Sequence, residues 1–387
     1  MSWHPADRPV RVFALLVGAL FGIYFGLYGA AILMHQEAFR FGDFFALWSY
    51  GQVLAAHPAS ELYDFATLVA RQEALGMPAT QSNPFPYPPS FLPAVWPLGF
   101  LSYTVAYVGF MGVTFALYLL AVGLAAPPPR LPLVLLTLVA PTSILTLVAG
   151  QSGFLAAALF LGGMRLVPAR PVLGGILLGL LSYKPQLGVL VPVALVAAGM
   201  WRAIAAAAVT VAVAALATSA AFGWHIWADW VAYLPAYAAQ FARESADNTF
   251  LMPTLTAALG VMGVAPAIVR LAQAALALAA AIWVWRTFRG GGTGPRATLV
   301  LATATFLATP HAFIYDLPML SGGILLFIGS RVRSFAGFTT VEVAVLFLAL
   351  TFPAVMVHAG TAMVLGVVCL ALLAAVLIAN PPVAEPA

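Results

Sequence analysis

Two charged residues with apolar neighbours are the first candidates for chemistry in this sequence. Asp43 lies among aromatic residues in FRFGDFFALW, where a carboxylate could accept a proton from a substrate hydroxyl. The same position also suits a residue that caps the following helix. Lys184, the single lysine of the chain, lies in LLSYKPQLGVL, and an ammonium at the bilayer centre costs about 2.5–3.5 kcal/mol. Lys184 therefore either faces a polar cavity or a bound anion, or extends towards the lipid headgroups.

Three other segments carry polar residues that could contact a substrate. In TPHAFIYDLPML, His311 could donate to a phosphate and Asp316 could orient a base or a sugar hydroxyl, with a capping Asp as the alternative. In AGQSGFL, Gln151 is a neutral hydrogen-bonding group, and the alternative is a polar turn with a capping serine. Tyr87, in the proline-rich NPFPYPPSFLPAVWPL, either contacts the substrate or anchors the chain at the membrane interface.

The motifs of several enzyme classes are missing. The sequence has no HExxH, no DxD pair, no P-loop and no GxSxG. Its one cysteine, Cys369, excludes a disulfide framework and a cysteine-based metal site. Glu61, Asp64 and Glu73 fit a solvated helix face better than a cation site.

The composition decides the class of protein. Of 387 residues, 63% are hydrophobic and 7% charged, with a mean hydropathy of +1.01, whereas a soluble domain has about 25% charged residues. A soluble enzyme, a disordered protein and a nucleic-acid binder are thereby excluded. Because the apolar runs are continuous and do not alternate as in membrane β-strands, we predict one polytopic all-α membrane domain over 1–387.

The apolar runs predict about twelve membrane spans. They lie at about 11–34, 95–124, 131–149, 152–167, 171–183, 186–200, 203–222, 265–287, 297–310, 315–330, 338–357 and 360–379. Numbering the connections alternately places eleven of the sixteen basic residues on one side, which the positive-inside rule makes cytoplasmic, together with both termini. The segment 251–264 is too short to cross and could enter the membrane and return.

The longest connections fall on the opposite, outer side, with nine of the twelve acids. In the first outer loop, 35–94, the spacing of the apolar residues predicts two amphipathic helices on the membrane surface, at 43–57 and 61–76. The proline-rich segment 83–98 then predicts a stiff, extended lead into the second span. A second outer loop covers 223–250. Because long loops are usually functional, we expect the chemistry at the outer leaflet of the membrane.

The order of these features resembles glycosyltransferase family 87, of the glycosyltransferase C superfamily. The resemblance runs over about residues 10–335. Its motifs are an early acid after the first span, then PFPYPPSFLPAVWPL, GQSGFL, SYKPQ and an outer His-x-x-x-Tyr-Asp turn. No single motif is specific, and it is their order that carries the likeness.

The resemblance implies an inverting transferase that moves a hexose, usually mannose, from a polyprenyl-phosphate sugar to a hydroxyl of a lipid or glycan acceptor. It implies that the transfer takes place on the periplasmic or extracellular side of the cytoplasmic membrane. It implies that Asp43 is the general base and that Lys184 and His311 hold the donor phosphate. Tyr87, Gln151 and Asp316 would line the substrate cavity. It also implies no metal and no cofactor, with the lipid-phosphate sugar as donor substrate and with membrane lipids as partners.

Physical chemistry agrees with this expectation, because a polyprenyl chain dissolves in the bilayer while its phosphate stays at headgroup level. Such a donor needs an apolar groove beside positive charge. A transporter or flippase of a lipid-linked sugar also needs a polar cavity among many spans, but inverted repeats are typical of that class and none is evident here. A polymerase or ligase of lipid-linked glycans is the third possibility.

Overall fold

The computed structural model describes residues 18–19, 22–23, 26–27, 42–128, 130–289, 292–331, 338–359 and 363–379. Every regular element in these ranges is helical, which confirms the all-α prediction. The α-helices are α1 (Asp43–Ala56), α2 (Phe65–Ala74), α3 (Leu92–Val95), α4 (Tyr103–Ala125), α5 (Leu131–Val139), α6 (Pro141–Ala149), α7 (Gly153–Leu166), α8 (Pro171–Leu180), α9 (Pro185–Gly188), α10 (Val191–Ala197), α11 (Trp201–Phe222), α12 (Ile226–Asn248), α13 (Leu255–Val261), α14 (Pro266–Arg289), α15 (Pro295–Ala308), α16 (Pro318–Arg331), α17 (Thr340–Ala359) and α18 (Met363–Ala379). Single 3₁₀ turns occur at Ala59–Tyr63, Pro89–Phe91, Trp96–Phe100, Leu181–Tyr183, Thr249–Leu251 and Ile314–Asp316.

Long apolar helices support a membrane protein, but the number twelve is not confirmed. In the described ranges, α4, α11, α14 and residues 340–357 of α17 are long and apolar enough to cross a bilayer. The pair α5 and α6, bent by 49°, raises the number to five if it is one span. Five further apolar helices are only 10–17 residues long, short of the roughly 20 residues that a span needs. The predicted span 11–34 lies almost wholly outside the described residues.

The two helices predicted in the first outer loop both exist, and they differ in burial. In α2 only Leu68 and Gln72 are buried, one helical turn apart, which agrees with a one-sided helix. In α1, four consecutive residues from Phe44 to Leu47 are buried, so the expectation of a single apolar face is wrong there. Gly51 of α1 lies against the backbone of Gly99, where a Cβ would come within 2.6 Å of the amide nitrogen. The helix is therefore enclosed by neighbouring segments.

Two predicted irregular segments are helical instead. The proline-rich segment was expected to be extended, but from Pro89 onward it forms short helical turns whose prolines occupy the first positions. Proline is tolerated there because the first N–H groups of a helix have no intrahelical partner. The predicted outer loop 223–250 contains the 23-residue helix α12, with Pro235 inside it.

The centre of the protein consists of helices that are surrounded by other helices. Helices α7, α15 and α16 are buried along most of their length, as expected for helices surrounded by other helices. Helix α15 packs between α14 and α16, and α16 also contacts α7. The segments that begin α7 and α16 carry candidate site residues, so this core fixes the position of the site.

Candidate active site

Most of the candidate residues lie where helices begin. Asp43 is the first residue of α1, Gln151 precedes α7 by two residues, and Asp316 precedes α16 by two. Lys184 directly precedes the short helix α9. The N-terminus of an α-helix carries a partial positive charge, so the starts of α1, α7 and α16 add positive potential beside these side chains.

A buried ion pair joins two of the predicted residues. The Nζ of Lys184 donates to Oδ1 of Asp316 at 2.5 Å, and the two residues are 3% and 0% exposed. The other oxygen of Asp316 accepts from the backbone N–H of Phe313 at 3.3 Å. The ammonium also lies 5.3 Å from the ring centroid of Tyr315. Lys184 therefore does not extend to the lipid headgroups, and that alternative is wrong.

Asp43 is held by a chain of hydrogen bonds. Its carboxylate is hydrogen-bonded by the side chain of Gln151, whose Oε1 accepts from the hydroxyl of Tyr87 at 3.0 Å. Because Oε1 is occupied, the amide NH₂ of Gln151 is the group left to donate to Asp43. The residue at the N-cap of α1 is Gly42, and no side chain caps this helix. Capping is therefore not the role of Asp43.

The alternatives for Tyr87 and for the serine beside Gln151 are also wrong. Tyr87 is 8% exposed, so it is not a surface anchor. Ser152 occupies the N-cap of α7, but its side chain makes no capping bond. The turn that holds Gln151 thus serves this cluster of side chains.

The environment changes the acidity of Asp43. The pKa of the Asp43 carboxyl is raised from 3.8 to about 6, chiefly by the loss of water around it and to a smaller extent by the charge of Asp316. The hydrogen bond from Gln151 and the charge of Lys184 act in the opposite direction. The pKa of Tyr87 is also raised, first by burial and then by the charge of Asp316. Asp43 is thus mostly ionised at neutral pH, and it is a stronger base than an ordinary aspartate.

Two glycines allow this arrangement to close. Gly150 has φ +70°, and a Cβ on it would come within 2.3 Å of the Cβ of Phe44, beside Asp43. A Cβ on Gly153 would come within 1.8 Å of the carbonyl oxygen of Tyr315. The hydroxyl of Thr146 donates to that same oxygen at 3.0 Å. The turn 150–153 is therefore wedged between the start of α1 and the turn that carries Asp316.

An aromatic residue that was not singled out in the sequence completes the wall of the site. The hydroxyl of Tyr183 donates to the carbonyl of Ser152 at 2.9 Å. Its ring stacks on Phe91 at 4.7 Å and lies parallel to Tyr87 at 6.5 Å between centroids. The sequence held a signal for it, since Tyr183 belongs to the same SYKPQ motif as Lys184.

His311 makes different contacts from the other candidates. Its ring lies edge-on to Phe241 of α12 at 5.0 Å, and its carbonyl accepts from the hydroxyl of Thr309 at 3.2 Å. Loss of water lowers the pKa of the imidazole, so His311 is neutral at pH 7. The described contacts of His311 do not include Lys184, Asp316 or Asp43, and its predicted role with a phosphate stays a prediction.

The described residues contain no group of three His, Cys, Asp or Glu side chains arranged to hold a metal ion. The acids Glu61 and Asp64 have structural partners. Glu61 pairs with Arg71 at 2.9 Å, and Asp64 caps α2 by accepting from the N–H of Thr67 at 2.8 Å.

Comparison with known proteins gives one positive result. Residues 85–310, more than half of the chain, match the family model described as glycosyltransferase family 87. The matched range contains Tyr87, Gln151 and Lys184, while Asp43, His311 and Asp316 lie outside it. No curated protein and no solved structure matches the chain.

Proposed function

The chain belongs to glycosyltransferase family 87, and on that premise we propose that this membrane glycosyltransferase uses a polyprenyl-phosphate sugar as its donor. The sugar is a hexose, with mannose as the first candidate, and the acceptor is a hydroxyl of a lipid or glycan. The observation that carries the proposal is the position of Asp43. Its carboxylate, whose pKa is raised to about 6, interacts electrostatically with Lys184, the cation suited to a phosphate.

In this mechanism Asp43 is the general base. Gln151 occupies one part of the carboxylate, which leaves lone pairs free to accept the proton of the acceptor hydroxyl. The acceptor oxygen forms a bond to the anomeric carbon while the bond from that carbon to the phosphate oxygen breaks. The proton ends on Asp43, the phosphate leaves with the electron pair, and the configuration at the anomeric carbon inverts.

Lys184 stabilises the departing phosphate. One of its three N–H donors is used by Asp316, so two remain for phosphate oxygens. Asp316 thereby positions the ammonium, and the N-termini of α7 and α16 add favourable potential for an anion. A preformed arrangement of this kind lowers the barrier because the donors need not reorganise as charge develops. His311 is a second phosphate contact in the proposal.

The proposal places this reaction on the outer face of the cytoplasmic membrane, with both termini inside. The aromatic wall of Tyr87, Phe91 and Tyr183 borders the site where the sugar would enter. The polyprenyl chain would stay in the bilayer while its phosphate reaches Lys184. No cofactor takes part in the proposed step.

A reconstitution experiment tests the proposal. The purified full-length chain is incubated with polyprenyl-phosphate mannose, or with a polyprenyl-diphosphate sugar, and with a hexose acceptor. We expect transfer only from the monophosphate donor. Asp43→Asn should lower transfer by roughly 10²–10⁴-fold while donor binding stays nearly unchanged. Asp64→Asn, which removes the charge of an exposed N-cap residue of α2 and leaves an oxygen that can still cap the helix, is the control and should transfer normally.

Three results would contradict the proposal. Full turnover by Asp43→Asn would remove Asp43 as the base. Use of the diphosphate donor with a longer glycan would indicate a polymerase or ligase. Movement of the lipid-linked sugar across vesicles without transfer would indicate a flippase.

A further inference from the structure

An apolar groove runs along the outside of the protein between α8 and α11. Its volume is about 730 Å³. The described residues that line it are Val172, Ile176, Leu180, Arg202, Ala205, Ala206, Val209, Thr210, Val213 and Ala214. Arg202 is the one charged residue among them. The groove is separate from the buried residues of the proposed active site.

The two helices run parallel and begin at the same level. A Cβ on Gly175 of α8 would lie 2.3 Å from the carbonyl of Ala203 in α11. One turn later, a Cβ on Gly179 would lie 2.8 Å from the carbonyl of Ala207. The contacts advance in the same direction along both helices. The groove therefore has one end near Arg202, passes Leu180 at the end of α8, and has its other end near Ala214.

Positive charge is concentrated at one end of the groove. Arg202 lies in the first turn of α11 and is exposed, and Arg170 directly precedes α8. Both helices also begin at this end, and helix N-termini favour anions. Lys184 follows Leu180 and lies beyond the opposite end of α8. An anion held at Arg202 is thus distinct from a phosphate held at Lys184.

The length of the groove fits one leaflet of a bilayer. From Arg202 to Ala214 the helix rises about 18 Å at 1.5 Å per residue, close to half of the roughly 30 Å hydrocarbon core. Its sides carry exposed apolar side chains, with Val172 at 52%, Val209 at 61% and Val213 at 58%. An acyl chain laid along this surface would have its headgroup at the charged end.

We propose that this groove binds one anionic phospholipid of the bilayer. Its phosphate contacts the guanidinium of Arg202, and one acyl chain lies along the alanine and valine side chains of α11. Alanines 205, 206 and 214 leave the space that this chain fills. The positive-inside prediction assigns this lipid to the cytoplasmic leaflet, on the face opposite the proposed chemistry. Charge complementarity selects an anionic headgroup over a zwitterionic one.

Native mass spectrometry of the full-length chain tests this proposal. The detergent-purified chain is titrated with phosphatidylglycerol or phosphatidylcholine of the same acyl composition. We expect phosphatidylglycerol to bind about fivefold more tightly, the contribution of one arginine near a membrane surface. Arg202→Gln should abolish that preference. Ala205→Phe, which fills the groove, should weaken the binding of both lipids.

Two further variants serve as controls. Ala208→Phe changes an exposed residue of α11 that does not line the groove, and Arg286→Gln removes an exposed arginine at the end of α14. Both should bind lipid as the unchanged chain does. Arg202→Gln alters only an exposed side chain, so it decides the question even if Ala205→Phe fails to fold.

Two outcomes would overturn the proposal. The first is phosphatidylglycerol binding that is unchanged by Arg202→Gln and by Ala205→Phe. The second is a loss of polyprenyl-phosphate binding in Ala205→Phe while phosphatidylglycerol binding stays normal, because the groove would then hold the donor's chain. Neither outcome depends on sugar transfer, so the proposed function is tested separately.

Discussion

Among the described residues, the carboxylates of Asp316 and Glu342 are almost fully buried and each is paired with a cation, but the two pairs differ in how far apart their members lie in the sequence. Asp316 pairs with Lys184 across 132 residues of sequence. Glu342 pairs with Arg331 at 3.0 Å across only 11 residues. The long-range pair joins the segment before α9 to the segment before α16, whereas the local pair connects the end of α16 to the start of α17.

The two pairs also differ in what remains available for a ligand. The second oxygen of Glu342 accepts from the N–H of Thr339 at 2.7 Å, and the Arg331 guanidinium lies 4.4 Å from the ring centroid of Phe338. This pair is surrounded by local partners, as expected of a structural contact. Within the described part of the chain, the side chain of Lys184 makes one hydrogen bond, to Asp316. Its charge also lowers the pKa of Asp43. N–H donors of Lys184 that are left for a ligand, close to a carboxylate whose pKa is raised, favour a catalytic role for this pair.

The largest expected effect comes from breaking the long-range pair. Lys184→Met leaves the Asp316 carboxylate buried without its partner, which should lower the free energy of unfolding by about 3–5 kcal/mol. Transfer should be lost as well, because the phosphate loses its cation. Detergent-titration unfolding and the transfer assay measure the two effects separately.

A double substitution decides which effect is primary. Replacing both members of the pair, Lys184→Met with Asp316→Leu, removes the unpaired charge and should recover most of the stability. We expect transfer to stay absent. Recovery of transfer in the double variant would show that the pair only supports the structure, as we infer for Arg331 and Glu342.

The next effect concerns Gln151, which links Tyr87 to Asp43. Gln151→Ala removes a hydrogen bond that lowers the pKa of Asp43, so the acidic inflection of the pH–rate profile should move above 6. The rate at neutral pH should fall roughly 10–100-fold, because the carboxylate is no longer oriented. Tyr87→Phe should shift the profile in the same direction by less. An unmoved inflection with a raised KM would instead indicate that Gln151 contacts the substrate.

A smaller effect is expected from pH alone. Burial raises the pKa of Asp43 to about 6, and the base acts in its ionised form. The value of kcat/KM should therefore be level above that pH and fall about tenfold for each unit below it. A profile level down to pH 4 would show that Asp43 is not the titrating base. The residual rate of Asp43→Asn should lack this inflection.

Several side chains that the sequence singles out interact with one another in the structure, whereas the predicted number of twelve spans is not confirmed. Asp43 and Lys184 could be found because a charge beside apolar residues is costly and needs a reason. Their common location could not be found, since it depends on close contacts such as Gly150 against Phe44 and Gly153 against Tyr315. Such contacts join segments far apart in sequence, and hydropathy carries no information about them.

The errors in the fold have a common physical origin. The spans were predicted from the length of apolar runs alone. In the structure, Pro171, Pro185 and Pro295 each begin a new helix inside or between such runs, so one apolar run does not correspond to one long helix. Helix α12 lies in the range that the sequence analysis predicts to be an outer loop. Its aromatic residues Tyr233, Tyr237 and Phe241 recur every four residues, which is a helical spacing that was visible in the sequence.

The smallest effect should come from the local pair of Arg331 and Glu342. Glu342→Gln weakens the contact with Arg331, which is 34% exposed, and the hydrogen bond from Thr339. The free energy of unfolding should fall by about 1 kcal/mol, since partly exposed pairs contribute little. Transfer and its pH profile should be unchanged in the folded fraction. Glu61→Gln, in the more exposed pair with Arg71, is the control and should change neither quantity measurably. A loss of transfer in folded Glu342→Gln would mean that a functional ion pair in this protein cannot be told from a structural one by its separation in sequence or by its unused hydrogen-bond donors.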